Sequence, residues 1–226
     1  MPETKLTMGA LREHLRKTWI LYIVGILACL FGTELLWTIT TPQIPPEQMV
    51  VVYLADSSSD PEPLNQIAEE MLVEAQKADK SLKKVEFQSL QYSSPETDYT
   101  GPMILMARLS VNEGDAFLAS KSVMDNLVAG GTLLPLDDLV ASGWLKQYDL
   151  EPYYATYEDE ESGEKTTFLA GLRIDSLNAL YEMGAFRNAD AFLALPAYGT
   201  NLDTTLIALD KMVDSLIRWE PGQSRD

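Results

Sequence analysis

The sequence predicts one α/β domain, a three-layer arrangement with a mostly parallel sheet, preceded by a single membrane-spanning helix. Three observations carry this. A 21-residue apolar run, Trp19 to Ile39, is interrupted by the single charge of Glu34. After it, short β-branched runs alternate with segments of helical period, an order that favours helices on both faces of a parallel sheet. The chain has 226 residues, 46% of them apolar, which fills one sizeable core.

As a helix the apolar run extends roughly 30 Å, the thickness of a bilayer core. Arg12, Arg16 and Lys17 precede it, and Glu47, Asp56 and Asp60 follow without a nearby base. That asymmetry keeps the N-terminus cytoplasmic and places the rest of the chain outside the cell membrane. The domain boundaries follow: residues 1–18 cytoplasmic, 19–39 transmembrane, 40–48 a proline-rich stalk, and 49–226 the extracytoplasmic domain. Two other readings stay open, a cleaved signal peptide and a lipoprotein signal ending at Cys29. Glu34 either marks a helix that docks beside another membrane protein or reaches toward the outer headgroups.

The first 48 residues hold four of the 17 Lys and Arg and four of the 34 Asp and Glu, so the net charge of -17 belongs to the outer domain. Such a surface repels nucleic acid and anionic lipid and attracts cations or a basic partner. Cys29 is the single cysteine and lies in the apolar run, so the outer domain has no internal disulfide and is held by packing.

In the stalk, "TTPQIPPEQ", three prolines favour extended structure. "MVVVYLA", Met49 to Ala55, is a continuous apolar run that suits a strand buried on both faces. Leu64, Ile67, Ala68, Met71, Leu72 and Ala75 recur at helical spacing, which predicts a helix over 63–78. "KKVEFQSL" alternates and predicts a second strand over 83–90. Residues 102–110 suit a helix, although "MILM" also suits a strand. "DAFLAS" predicts a strand, and "KSVMDNLVAGG" a helix stopped at Gly130 and Gly131. "TLLPLDDLVASGWL" predicts an extended segment that turns at Pro135 into a short helix. "YEDEESGEKTTFLAGLRI" predicts a hairpin turning at Ser162 and Gly163. Its acidic run, Glu158 to Glu161, lacks the alternating oxygens of a calcium loop and suits a solvated turn. A helix over 175–186, a strand over 189–198 and a final helix over 202–219 complete the order.

The stretch from Gly114 to Leu139 resembles the first lobe of extracytoplasmic solute-binding proteins of ABC transporters, the sugar-binding kind especially. Asp115, Ala116 and Phe117 occupy the strand, Gly130 and Gly131 the helix end, and "LLPLDDL" the motif that follows. "FLALPAYGTNLDTTLIALDKMV" is similar to the return strand, proline turn and late helix that finish that lobe. The resemblance implies one lobe of a type 2 periplasmic-binding fold over residues 49–218. The family inserts a second lobe before the return strand, whereas here about 50 residues separate Leu139 from Ala191, too few for another core.

Ligands of open α/β sheets gather beyond the carboxyl ends of strands. The candidates there are Asp56 and Ser58 in "LADSSSD", and Ser120 and Lys121 after "DAFLA". Asp56, Ser58 and Asp60 also have the spacing of a metal-dependent adhesion site, but Asp60 departs from the serine such sites use, and helix capping competes with both readings. Trp144, Tyr148, Tyr153, Tyr154 and Tyr157 cluster in a segment of poor period; a protein interface, a carbohydrate platform and simple packing all suit them. His14 is the single histidine and precedes the apolar run, so the outer domain offers no histidine base and no histidine metal site. No G-x-S-x-G or phosphate-binding glycine loop is present. The expectation is a non-catalytic accessory or sensory binding subunit of a transporter or envelope complex, with no cofactor and no metal. A reduced receptor that delivers a sugar or other small nutrient to an ABC permease is the alternative. Asp56, Ser58, Ser120, Lys121, Tyr153, Tyr154 and Tyr157 are the candidate ligand or partner contacts, with Glu34 the membrane-helix contact.

Overall fold

The computed structural model describes residues 8–40, 44–56, 58–92, 99–158, 163, 165–174, 179–188, 190–199 and 201–220. The chain divides into two units, residues 1–43 and 44–226.

The described residues of the first unit form one helix, α1, Met8–Thr40. Its stretch Thr18–Trp37 has a mean hydropathy of 2.0 and is long and apolar enough to cross a membrane. The polar residues before Thr18 continue the same helix. Glu34 is exposed on it, and Thr33 Oγ1 donates to the Cys29 carbonyl at 2.7 Å, so that hydroxyl is satisfied by its own helix.

In the second unit the expected strands and helices appear in the expected order. They are β1 (Met49–Asp56), α2 (Asn65–Ala75), β2 (Lys84–Gln91), α3 (Thr100–Ser110), β3 (Ala116–Ala119), α4 (Lys121–Ala129), α5 (Asp137–Ala141), β4 (Glu151–Glu158), β5 (Lys165–Arg173), α6 (Ala179–Glu182), β6 (Phe192–Ala194) and α7 (Leu202–Arg218). Residues 102–110 are helical, which settles the ambiguity of "MILM". The stalk is not extended to its end: Pro46–Gln48 form a 3-10 turn, closed by the Gln48 N–H on the Pro45 carbonyl at 2.9 Å. The Gln48 carbonyl then accepts the Lys83 N–H at 2.8 Å, so the last stalk residues already belong to the domain. Of the expected late helix, residues 175–178 lie outside the described residues. The expected late strand is reduced to three residues and a single bridge from Leu133 to Pro196.

The sheet has six strands in the order β2-β1-β3-β6-β5-β4. The expectation of a mostly parallel sheet is corrected here. β1 pairs parallel with β2 and with β3, but β6 pairs antiparallel with β3 and with β5, and β4 with β5 is an antiparallel hairpin. Helical crossovers through α2 and α3 impose the parallel half. The short β6 comes back from the opposite end and wedges between β3 and β5, which makes the sheet mixed.

Both faces of the sheet are covered. Val50, Val52 and Leu54 pack with Met71 of α2 and with Leu209, Met212 and Val213 of α7. Val51, Tyr53 and Ala55 pack with Leu105 of α3 and with Val123 and Leu127 of α4. β1 is therefore the doubly buried strand that its unbroken apolar run predicts. On β5 the alternation slips. Tyr153 lies opposite Gly171 and Tyr154 opposite Leu169, which leaves Ala170 as a bulge. The extra residue puts Leu169 and Leu172, at odd spacing, on the same face.

Candidate functional site

β1 and β3 are neighbours although the chain leaves β1 for β2, so their carboxyl ends form a topological switch point, where open sheets place ligands. Asp56 stands at the end of β1 with a residue exposure of 1%. The Arg187 and Asn188 N–H groups donate to its Oδ2 at 2.9 and 3.1 Å, and the Asn188 side-chain amide donates to its Oδ1. Nearby, the Asp60 N–H donates to the Ala185 carbonyl at 3.1 Å. The segment 185–188 thus crosses the end of β1, and the carboxylate that sequence position marks for a ligand is occupied by the protein's own backbone.

Ser59 and Asp60 of "LADSSSD" are also engaged with the protein's own backbone. Ser59 Oγ donates to the Leu54 carbonyl at 3.0 Å, and Asp60 Oδ1 accepts the Glu62 N–H at 3.0 Å. Ser58 is exposed, and Ser57 lies outside the described residues. Among the described residues no three His, Cys, Asp or Glu side chains converge as metal ligands.

Ser120, buried at 6% exposure, precedes α4 in extended conformation, but its hydroxyl does not cap the helix and lies 3.3 Å from Ser122 Oγ. Lys121 is exposed and lines a crevice of about 220 Å³ together with Tyr153, Arg173, Asp190 and Phe192. The structure thus brings Lys121 and Tyr153 together and leaves Asp56 and Ser58 out of that crevice. Arg173 bridges Glu151 at 3.0 Å and Asp190 at 2.6 Å, so the crevice wall is held by its own ion pairs.

The aromatic cluster divides between the two faces of the sheet. Tyr153 packs on the α4 side: its ring lies 5.0 Å from that of Phe192, and its hydroxyl donates to Asp125 at 2.6 Å. Burial, then the hydrogen bond and charge of Asp125, push the Tyr153 hydroxyl up to about 12. Tyr157 lies against Gly131 on that side. Tyr154 points the other way and is 60% exposed. Trp144 and Tyr148 pack on the α7 side, where the Trp144 indole N–H donates to the Leu206 carbonyl at 3.2 Å and the Tyr148 hydroxyl to the Asp210 carbonyl at 3.4 Å.

β4 ends the sheet, so one row of its backbone donors and acceptors has no strand partner among the described residues. Its charges stand at its ends, Glu151 and Glu158, and the span between them is uncharged. A second unpolar surface lies on α3, whose outer side exposes Met103, Ile104 and Met106. Arg187, Asn188, Arg173 and Asp190 were not legible as site residues, because each meets its partner only through contacts distant in the chain. The chain matches no protein-family model, and no curated protein or solved structure is significantly similar to it.

Proposed function

We propose that this protein is a single-pass membrane protein whose outer domain is a non-catalytic docking subunit, accessory or sensory, of a transporter or envelope complex. One observation carries the reading: segment 185–188 closes the switch point over Asp56, while β4 stands at the sheet edge with an uncharged, tyrosine-bearing strand. Edge strands of that kind accept an added strand from a partner protein. The apolar outer side of α3 adds area that a partner would cover. The antiparallel β6 beside β3, followed by Pro196 and the long α7, agrees with the return strand, proline turn and late helix of one solute-binding lobe. Thr18–Trp37 supplies the tether, and a membrane-embedded permease of the ABC type is the partner that the resemblance suggests.

The alternative, a reduced solute receptor, has less in its favour. Where the candidate contacts Lys121 and Tyr153 meet, the crevice measures about 220 Å³, below the roughly 300 Å³ at which small-molecule pockets begin. The two readings separate in one experiment. The intact protein is tagged, extracted gently from membranes and purified with whatever accompanies it. A membrane-protein companion that is lost on Tyr154→Ala is the expected result. Recovery of no companion, together with a saturable thermal shift by a sugar, would replace docking with the receptor reading.

A further inference from the structure

Along α7 runs an open groove of about 640 Å³, walled by Trp144 and Tyr148, floored by Leu206 and Ile207, and edged by Glu74, Asp210 and Asp214. The two rings are fixed, since the indole N–H and the phenol hydroxyl are both spent on α7 carbonyls. The aromatic wall therefore offers ring surface rather than further donors. Lys211 and Arg218 also line the groove, but both are engaged: Lys211 with Glu70 and Asp214 at 3.2 Å each, Arg218 with Asp214 at 2.7 Å. Glu74 pairs with Lys77 at 2.6 Å. Among the described residues Asp210 is thus the one groove carboxylate without an ion pair, and it accepts only the Gln147 amide, at 2.8 Å. Burial, helped by the charges of Asp214 and Glu74, raises its pKa against the lowering effect of Gln147, so an incoming cation would relieve an existing electrostatic cost.

Fixed rings, an apolar floor and one uncompensated carboxylate match a positive head on an apolar stem: the floor takes the methylenes, the ring faces attract the cation, and the carboxylate accepts its N–H groups. The acidity of the domain, with its whole-chain net charge of -17, draws such a group in from a distance. We propose that this groove binds an arginine or lysine side chain of a partner protein, with Trp144, Tyr148 and Asp210 as its contacts. The site lies along α7, not on β4, and stands independently of edge-strand docking.

The test is calorimetric titration of the full-length protein in detergent with the blocked tripeptide Ac-Ala-Arg-Ala-amide, its citrulline counterpart, spermidine and glucose. The arginine peptide is expected to bind saturably, and its citrulline counterpart about tenfold or more weakly, because citrulline keeps the shape and loses the charge. Asp210→Asn should weaken the arginine peptide by about the same factor with an unchanged melting temperature. Tyr154→Ala should leave it untouched, which separates this site from docking on β4. Absence of saturable heat up to about 10 mM peptide, equal binding of citrulline, or tighter binding of glucose or spermidine would overturn the proposal. The citrulline comparison needs no variant, so misfolding cannot imitate the result.

Discussion

The Asp56 carboxylate and the Asn188 backbone, 132 residues apart in sequence, are joined at 3.1 Å across the end of β1. With the Arg187 N–H and the Asn188 amide on the same carboxylate, this is the clasp that holds segment 185–188 over the sheet.

Asp56→Ala removes the carboxylate that these donors share and breaks all three hydrogen bonds, at a cost of about 3 kcal/mol. For a domain of this size that corresponds to a fall in melting temperature of roughly 6–12 °C. Thermal denaturation followed by circular dichroism measures it. A variant that melts with the wild type would mean that the clasp contributes nothing to stability.

Gly114 and Gly143 separate two costs that glycine replacement usually mixes. Both have positive φ, +95° and +107°. A Cβ on Gly114 would stand 2.6 Å from the ring of Tyr53, which is fully buried and stacked on Phe117 at 5.8 Å, whereas a Cβ on Gly143 would meet nothing within 4 Å. Gly143→Ala should lose about 1–2 kcal/mol from backbone strain alone. Gly114→Ala should lose that and a further 1–3 kcal/mol or so from the clash. Urea denaturation of the two variants gives the difference, and equal losses would show that Tyr53 yields.

Stability should fall in alkali as the tyrosines titrate. Burial raises the hydroxyls of Tyr153 and Tyr198 from an ordinary value of 10.0 to about 12. The folded state then holds protons that the unfolded state gives up. Their contribution is complete below pH 10, declines as pH rises through the interval to about 12, and is lost above it. Urea midpoints measured between about pH 8 and pH 11 should therefore drop, and Tyr198→Phe should flatten the drop. An unchanged slope in that variant would remove Tyr198 from the explanation.

The orientation of the tether is open to thiol labelling, because Cys29 is the single cysteine and lies inside Thr18–Trp37. In intact cells a membrane-impermeant maleimide should leave Cys29 unmodified and label Ser58→Cys. Labelling of that variant only after permeabilisation would put the domain on the cytoplasmic side.

Local periodicity carries far in this chain. The unbroken run Met49 to Ala55 specifies a strand buried on both faces, the spacing from Leu64 to Ala75 specifies the helix that covers one of them, and Gly130 and Gly131 mark where α4 stops. Each depends on side chains a few residues apart, whose faces the backbone repeat alone fixes. The apolar span is legible for the same reason, since length and composition suffice.

What the sequence by itself determined, then, is the inventory and order of elements, their buried faces, and one helix fit to cross a membrane. Tertiary structure alone decided that β6 wedges antiparallel between β3 and β5, that Asp56 clasps residue 188 instead of waiting for a ligand, and that one run of aromatics is split between the α4 and α7 layers. Those outcomes join groups tens to more than a hundred residues apart. No repeat along the backbone encodes such pairings; they arise when the packed layers bring one strand end, one loop and one helix face within hydrogen-bonding reach of each other.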